Sequence, residues 1–282
     1  MYSIERMSKV LRVSRSSYYY WLNRKKSKRL IENENLSKKI KSIYTSSKDR
    51  YGSPKITKEL HKSGIFISRP RVSRLMRKAG LRSIVTKKFK VCTTDSKHNN
   101  PVAPNLLNRQ FTSTAPGKVW VSDITYVNIG SKWLYLTIIM DLYDRSIVGW
   151  SLSKTLKTKD TVLAAWKMAI TNRGIEVGLI FHSDRGVQYT SKETIKVLKE
   201  KNKNVIQSMS RKGNCWDNAV AENFFKIIKS ELINHKKYNS FYEAEIEIFE
   251  FIEVWYNRKR SHQKLGYLSP YQFRLKHYLK AA

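Results

Sequence analysis

The sequence predicts two parts: a small all-α domain near the amino end, followed by an α/β domain with a mixed sheet. Residues 50–79 contain two short helical patterns joined by a turn at Gly64. From residue 119 onward, three adjoining β-branched and aromatic runs precede alternating helical and extended patterns. Adjoining strands pair antiparallel, whereas strands separated by helices can pair parallel, so the pattern favours a mixed sheet with flanking helices.

The amino-terminal region is helical and strongly basic. Helical patterns cover residues 4–11 and 15–22, and Ser14 precedes the second as its predicted cap. The almost wholly cationic run 24–29 predicts an exposed arm or linker that can contact phosphate.

The next unit has the outline of a helix-turn-helix. Ser53 and Pro54 are predicted as the N-cap and first residue of a helix that runs to about Lys62, and Ser68 caps the second helix. That second helix has an apolar inner stripe of Val72, Leu75, Met76 and Ala79. Its outer stripe consists of Arg71, Arg74 and Lys78. A basic face on the second helix predicts entry into a DNA groove, although such faces are often merely solvated.

The elements of the α/β domain follow from changes in hydrophobic period. The predicted strands are 119–129, 132–141, 146–153, 178–183 and 204–209. The predicted helices are 159–173, 191–202 and 217–233. A capping box, Ser240-x-x-Glu243, then opens a long helix that is expected to end near Asn257.

Three acidic residues of this domain stand in different settings. Asp123 lies within the first strand, Asp184 ends the strand at 178–183, and Glu222 lies on the helix 217–233. Mg²⁺ prefers oxygen ligands and keeps positions open for water and phosphate, so carboxylates on rigid elements can converge on a metal pair. Taken singly, an acidic residue is more often a solvated or capping carboxylate than a metal ligand. The case for metal binding therefore depends on the motifs around these three residues.

The charge of the chain points to a polyanionic partner. The formal net charge is +33, and residues 1–110 alone carry 28 basic against 6 acidic side chains, or +22. Contacts from lysine and arginine to phosphate release counterions and dominate DNA affinity. Cys92 and Cys215 form no disulfide or zinc-binding pattern, and no apolar run approaches the length of a membrane span. These observations predict a cytoplasmic protein that acts at the bacterial nucleoid.

The motifs around the acidic residues resemble those of one family. They are Trp120-x-Ser122-Asp123-Ile124-Thr125-Tyr126, His182-Ser183-Asp184-Arg185-Gly186-Val187-Gln188-Tyr189 and Lys212-Gly213-Asn214-Cys215-x-Asp217-Asn218-Ala219-x-x-Glu222. This pattern resembles the Asp-Asp-Glu transposases of the IS-three insertion sequences, and in particular their second-frame product, OrfB. The resemblance implies an integrase-type catalytic core with a ribonuclease-H-like fold, which periodicity alone does not give.

The resemblance also implies a chemistry. Asp123, Asp184 and Glu222 would be the catalytic carboxylates and ligands of two Mg²⁺ ions, for which Mn²⁺ can substitute. Water would attack first to free a 3′-OH, which would then attack a second phosphodiester. The expected DNA contacts are Lys229, Lys226, Arg211, Lys212 and Asn214 beside the site, and Arg71, Arg74 and Lys78 in the helix-turn-helix. His182, Gln188 and Asn218 are expected to support the site.

Asp217 is the rival third ligand, because it begins the same helix as Glu222. At 100° per residue it lies about 140° from Glu222 around the axis, whereas Lys226 and Lys229 share the face of Glu222. We therefore interpret Asp217 as a helix-start carboxylate that satisfies free amides.

Domain boundaries and partners complete the expectation. The predicted domains are a helical segment with a basic linker (1–44), a helix-turn-helix (45–92), an interdomain linker (93–115) and an integrase-type catalytic domain (116–276). The expected partners are element ends and target DNA, further copies of the chain in a homo-oligomer, and an upstream first-frame product (OrfA) or a fusion with it. No membrane is expected.

Two alternatives remain at this point. One is a ribonuclease-H-like nuclease or resolvase that cuts without joining, and the other is a catalytically inactive DNA-binding repressor. The intact carboxylate set disfavours the repressor, whereas the helix-turn-helix and a closing motif from Tyr256 to Phe273 disfavour a simple nuclease. Residues 185–221 between the last two carboxylates exceed the family spacing by two positions, which fall in the polar turn Lys201–Asn204.

Overall fold

The computed structural model describes residues 3–85, 101–130, 132–199 and 205–281. The chain divides into two compact units, Met1–Ser83 and Ile84–Ala282. Part of the predicted interdomain linker, residues 93–100, lies outside the described residues. Among the residues that are described, no helix is both long enough and apolar enough to cross a bilayer.

The first unit is all helical, as predicted. Its helices are α1 (Ile4–Leu11), α2 (Arg15–Leu22), α3 (Lys28–Ser46), α4 (Ser53–Lys62) and α5 (Arg69–Lys78). The predicted cap of α2 is confirmed, because the Ser17 amide donates to Ser14 Oγ at 3.0 Å. The basic run 24–29 is exposed as predicted, and α3 begins within it at Lys28 and buries Leu36 and Ile40 further along.

The predicted pair of helices in this unit is present with two corrections. Gly52, not Ser53, is the N-cap of α4. Ala79 is exposed as the C-cap of α5, so it does not belong to the inner stripe. The stripe is otherwise buried, and α3 packs against both α4 and α5. The amphipathic pattern located the helices, but end residues depend on cap geometry that periodicity does not determine.

The second unit contains, in its described part, a five-stranded mixed sheet. Its strands are β1 (Val119–Ile129), β2 (Lys132–Asp141), β3 (Ile147–Ser153), β4 (Ile180–Ser183) and β5 (Ile206–Met209). They lie in the order β3-β2-β1-β4-β5. β1 pairs antiparallel with β2 and parallel with β4, while β3 extends the antiparallel side and β5 the parallel side. This arrangement confirms the predicted mixed sheet of a ribonuclease-H-like core.

Helix α6 (Val162–Arg173) covers the sheet at β3. A Cβ at Gly149 on β3 would lie 2.2 Å from the carbonyl oxygen of Ala165, so only glycine permits this approach. Beneath the helix, the Trp166 ring meets Trp120 and Phe181 edge to face, with centroid distances of 5.7 and 5.1 Å. These rings anchor the core on which β1 and β4 rest.

The remaining helices follow the predicted order with additions. They are α7 (Val187–Thr190), α8 (Lys192–Lys199), α9 (Ala219–Glu231), α10 (Phe241–Phe249) and α11 (Pro270–Ala281). A 3₁₀ turn, Cys215–Asn218, leads into α9, and α10 continues as a π-helix over Glu250–Lys259. The sequence analysis missed α7 and α11, although Ser269-Pro270-x-Gln272 is a complete capping box with reciprocal bonds of 3.0 and 3.2 Å.

The carboxyl-terminal segment is tied to α9 by a buried ion pair. Arg260 donates to both carboxylate oxygens of Glu231, at 2.7 Å for the shortest bond, and Trp255 Nε1 donates to the same carboxylate at 3.1 Å. His262 is buried beside the Tyr256 ring. These contacts give the closing motif a structural role next to the helix that carries Glu222.

Candidate active site

Strand register places Asp123 and Asp184 next to each other. In the parallel pair of β1 and β4, Val121 is the partner of His182. Asp123 comes two residues after Val121 on β1, and Asp184 comes two residues after His182, directly past the end of β4, so both lie at the same edge of the sheet. The backbone amide of Gly186 donates to Asp184 Oδ1 at 2.9 Å, and that of Ile124 donates to Asp123 Oδ1 at 2.9 Å.

The electrostatics of Asp123 indicate that Glu222 and Lys229 join this pair. Burial raises the pKa of Asp123 well above its usual range, and the charges of Asp184 and Glu222 raise it further. The positive charge of Lys229 acts in the opposite direction. Burial lowers the pKa of Lys229, and Asp123 opposes that shift. Asp184, Glu222 and Lys229 therefore all act electrostatically on Asp123.

Two buried side chains fix the start of α9 on the sheet. Asn218 Nδ2 donates to the carbonyl oxygen of Ser122 at 3.0 Å, directly before Asp123. His182 Nε2 lies 3.0 Å from the carbonyl oxygen of Asp217, and its Nδ1 lies 2.9 Å from Ser208 Oγ. Because Glu222 is one helical turn beyond Asn218, these bonds set its position relative to Asp123.

His182 acts in its neutral form. It is fully buried, and this burial lowers its pKa to about 4. A carbonyl oxygen can only accept, so Nε2 carries the proton toward Asp217 and Nδ1 accepts from the Ser208 hydroxyl. His182 thus joins β4, β5 and the start of α9, which is a positioning role.

Tyr189 is a buried neighbour of the site that the sequence analysis quoted without assigning a role. Its hydroxyl lies 2.8 Å from Ser122 Oγ, which itself donates to the carbonyl oxygen of Ile138. Burial raises the pKa of Tyr189 well above its usual range, and Asp123 and Asp184 raise it further. The phenol therefore stays neutral next to both aspartates. In the sequence, Tyr189 stands five positions after Asp184, and no periodic pattern distinguishes it from an ordinary core aromatic residue.

Asp217 does not belong to the carboxylate cluster. It is fully buried and accepts from the backbone amide, Nε and NH2 of Arg211 at 2.8 to 3.0 Å. It also accepts from Arg109 Nε at 3.0 Å and from Asn105 Nδ2 at 2.9 Å. The side-chain bonds from Arg211 hold the pKa of Asp217 well below its usual range. We expected this carboxylate to accept from free amides at the start of its own helix, and that expectation was wrong. Its donors are instead two guanidinium groups, the Asn105 side chain and the backbone amide of Arg211, which precedes the helix.

Arg109 and Asn105 belong to a segment that crosses β5 and the start of α9, which we call the strap (residues 104–109). The Met209 amide donates to the carbonyl oxygen of Pro104 at 3.2 Å, and the Leu106 amide donates to Ser208 Oγ at 2.9 Å. Leu107 is buried. The sequence analysis placed the strap in the interdomain linker, because its prolines and lack of period do not reveal partners a hundred residues away.

The predicted DNA contacts beside the site divide into two groups. Arg211 is committed to Asp217, and Asn214 Oδ1 accepts from Arg109 NH2 at 3.1 Å. Lys212 and Lys226 are exposed, whereas Lys229 is half-buried near Asp123. Gln188, predicted to support the site, donates to the carbonyl oxygen of Leu156 at 3.3 Å.

In the first unit, Arg71 is held within the fold. Its guanidinium donates to both carboxylate oxygens of Glu32 at 3.0 and 2.8 Å, and also to Asn33 Oδ1. Arg74 and Lys78 are exposed on the same helix, α5. The exposed stripe of α5 therefore keeps two of its three predicted cations at the surface.

The donor set fits a hard divalent cation. Carboxylate oxygens are the ligands that Mg²⁺ prefers, and the mutual repulsion that raises the pKa of Asp123 is what a bound cation relieves. Within the described residues, no group of three or more His, Cys, Asp or Glu side chains is already arranged to hold a metal ion. Asp123, Asp184 and Glu222 are thus close enough to interact electrostatically, but in the described part of the chain they do not form an assembled metal site.

Comparison with known proteins gives consistent matches along the chain. A family model described as HTH-like domain matches residues 31–89. Two models described as Integrase core domain match residues 113–215 and 222–278. These matches cover α4, α5 and most of α3 in the first unit, and the part of the second unit that contains the carboxylates.

Curated relatives extend over most of the chain. The chain is 42% identical over 276 residues to the "Insertion element IS600 uncharacterized 31 kDa protein" of Shigella sonnei, covering 98% of this chain and 100% of that protein. It is 41% identical to the "Transposase for insertion sequence element IS904" of Lactococcus lactis, with coverages of 89% and 98%. It is 37% identical to "Transposase InsF for insertion sequence IS3A" of Escherichia coli K12, with coverages of 96% and 94%.

Solved structures also show similarity. The HTLV-2 integrase catalytic core domain in complex with magnesium covers 57% of this chain and 99% of its own, with a TM-score of 0.44 and 16% identity.

Proposed function

Because this chain belongs to the insertion-sequence transposases that carry an integrase core domain, we propose that Asp123, Asp184 and Glu222 are its catalytic carboxylates. Its function is transposition, in which DNA is cut and integrated. The observation that carries the proposal is the register of β1 and β4, which sets Asp123 beside Asp184, with the charge of Glu222 acting on Asp123. The three carboxylates would hold two Mg²⁺ ions, or Mn²⁺ in their place.

The reaction consists of two phosphodiester exchanges. Water attacks at the end of the element and frees a 3′-OH, and that 3′-OH then attacks a phosphodiester of the target. Ions held by these carboxylates would activate the attacking oxygen and stabilise the leaving oxygen. The protein positions the strands and stabilises the charge, because such chemistry asks for little covalent participation.

The chain's own residues have distinct parts in this. Lys229 lies near Asp123 and balances the charge of a phosphate there. His182 and Asn218 are positioning residues that hold the start of α9 against the sheet. Tyr189 is a neutral, buried side chain near both aspartates, and its bond to Ser122 holds it in place.

The contacts revise the proposed DNA interface. Lys212, Lys226 and Lys229 beside the site, together with Arg74 and Lys78 on α5, are the proposed phosphate contacts. Arg71, Arg211 and Asn214 were proposed for the same role, but their bonds to Glu32, Asp217 and Arg109 favour support of neighbouring residues. A guanidinium that is already held by a carboxylate must break that pair to bind phosphate strongly.

The proposed organisation keeps the helix-turn-helix and the catalytic domain but reassigns residues between them. The strap is counted with the catalytic domain, because its bonds lie there. We further propose that the active complex is a homo-oligomer on DNA at the nucleoid, acting with an upstream first-frame (OrfA) product or a fusion to it. The +22 charge of residues 1–110 supports a DNA-binding amino-terminal part.

A strand-transfer assay with a pre-cut element end tests the proposal. The full-length protein should join that end to target DNA with Mg²⁺ or Mn²⁺ and should cut an uncut end, and excess EDTA should stop both. The matched variants are Asp123→Asn and Asp184→Asn, which should retain DNA binding and lose both activities. Cutting without joining would favour the nuclease or resolvase. Binding without either activity would favour the repressor, and undiminished cutting in excess EDTA would overturn the metal-dependent mechanism.

A further inference from the structure

A large aromatic side chain stands exposed beside the carboxylates. Trp216 has 67% of its surface exposed, although the two residues that follow it in the 3₁₀ turn leading into α9 are buried. Its neighbours Asp217 and Asn218 are 0% and 4% exposed. An exposed tryptophan presents a large, flat apolar surface that is available to a partner.

The turn that carries Trp216 is fixed on its carboxyl-terminal side. Asp217 accepts hydrogen bonds from Arg211, Arg109 and Asn105, and its carbonyl oxygen is bound by His182. Asn218 is bound to the Ser122 carbonyl. The backbone at Trp216 is therefore rigid, which lowers the entropy lost when its ring binds something flat.

The same bonds place Trp216 next to the chemistry. Asn218, two residues on, is bonded to the residue before Asp123, and the His182 that holds Asp217 is two residues before Asp184. The exposed Lys212 lies on the loop that precedes the turn. An apolar ring, a nearby cation and the catalytic carboxylates together describe a surface for a nucleic-acid strand, since bases stack on aromatic rings while cations bind the backbone.

We propose that Trp216 stacks on a base of the DNA strand whose phosphodiester lies at the carboxylates. This inference rests on the proposed function, because that function brings DNA to this edge of the sheet. The base that stacks is one that has left its own stack at or near the cleaved end, where opening costs least. The indole provides a flat face without sequence-specific hydrogen bonding, so it holds the end in place rather than selecting its sequence.

The test compares full-length protein with Trp216→Ala, Trp216→Phe and a control, Trp133→Ala. Trp133 is 53% exposed on β2, where its ring meets Tyr126 at 6.1 Å, and its strand partner Asn128 is five residues beyond Asp123. The probe is a pre-cut element end with the fluorescent base 2-aminopurine beside the cleaved position. Binding and fluorescence are measured in EDTA, so that neither depends on turnover or on a metal.

We expect the 2-aminopurine emission to change on binding to the unaltered protein and to Trp133→Ala. Trp216→Ala should lose this change and bind the end about 10-fold or more weakly, whereas Trp216→Phe should restore most of both. The slope of affinity against salt should stay the same, because a stacking residue neutralises no phosphate.

Each contrary outcome has a defined meaning. Unchanged fluorescence and affinity in Trp216→Ala would overturn the stacking role. If Trp216→Ala instead lowered the molecular mass of the free protein by light scattering, with unchanged affinity per subunit, the indole would be covered by a second copy and the proposal would fall. A Trp216-dependent signal in a protein that joins no DNA would keep the stacking and reject the proposed function.

Discussion

Two amide substitutions on one short stretch test whether Glu222 is the catalytic carboxylate and Asp217 a structural one. Glu222→Gln and Asp217→Asn each remove one negative charge with little change in shape, five residues apart at the start of α9. We expect Glu222→Gln to abolish cutting and joining while leaving the fold and DNA binding intact. Asp217→Asn should mainly lower stability, because its carboxylate is bound by two arginines and an asparagine.

The contacts set the expected magnitudes. Breaking a buried ion pair costs about 3–5 kcal/mol of folding free energy. Arg109 and Arg211 are each about half exposed, so water can solvate them again once the carboxylate is lost. We therefore expect Asp217→Asn to cost about 3 kcal/mol, the lower end of that range. For a unit of this size that corresponds to a Tm lower by about 6–12 °C. Glu222 is only half-buried beside like charges, so Glu222→Gln should change the free energy of unfolding by less than about 0.5 kcal/mol.

Stability against pH gives a second readout for Asp217. Its folded-state pKa is depressed, so its stabilisation is fully present above the ordinary value of about 3.9 and is lost as pH falls through the folded pKa. The unaltered protein should therefore lose stability below about pH 4, and Asp217→Asn should lack that part of the loss.

The assays are thermal unfolding from pH 2 to 7, DNA binding in EDTA, and joining of a pre-cut end with Mg²⁺. Loss of a metal ligand should lower joining by more than about 100-fold, which is the upper cost of removing only a supporting partner. If Glu222→Gln protein still joined ends, while Asp217→Asn protein bound DNA with unchanged Tm and joined nothing, the assignment of the third carboxylate would be refuted.

Two further predictions concern the strap and the closing motif. Removing residues 1–83 and removing residues 1–110 should both weaken DNA binding and flatten its salt dependence, by about 0.9 in log-log slope for each lost phosphate contact. Only the longer deletion should lower the Tm of the catalytic unit, because it removes Asn105 and Arg109 from Asp217; equal Tm values for both would argue against the strap. Arg260→Ala should destabilise by about 3–5 kcal/mol in denaturant unfolding, because it leaves Glu231 buried with its charge. The surface pair Lys236–Glu247 provides the control, since Lys236→Ala should cost less than about 1 kcal/mol, and equal costs would contradict the difference in burial.

The parts of the fold that sequence predicts best are those that depend on local periodicity. The bounds of β1, β2, α1 and α2 agree with the predicted ranges, because long runs of alternating or helical apolar residues specify both element and face. The fold class and family followed from motifs that are long and specific. The proposed carboxylates were named from the same motifs, and the parallel register of β1 and β4 explains how Asp123 and Asp184, 61 positions apart, come to interact electrostatically.

The parts that sequence did not predict depend on distant contacts. Nothing local marks Arg109 as a partner of Asp217, 108 residues later, or Arg71 as a partner of Glu32, 39 residues earlier. The helix-start interpretation of Asp217 named the wrong donors, and its expected role in stability stays a prediction. Trp216 was left unassigned, because exposure is a property of the folded chain that composition does not record.

The strap also affects when the enzyme becomes competent during synthesis. Its residues leave the ribosome about a hundred positions before Asp217. A second contact, the ion pair Glu231–Arg260, can form only after Arg260 has been synthesised. Contacts of long sequence separation form late, so α9 reaches its final place only when nearly the whole chain has emerged. A nascent chain that lacks Arg260 would therefore carry Asp123 and Asp184 before Glu222 is fixed in place, so any reaction that needs all three proposed carboxylates would wait for that segment.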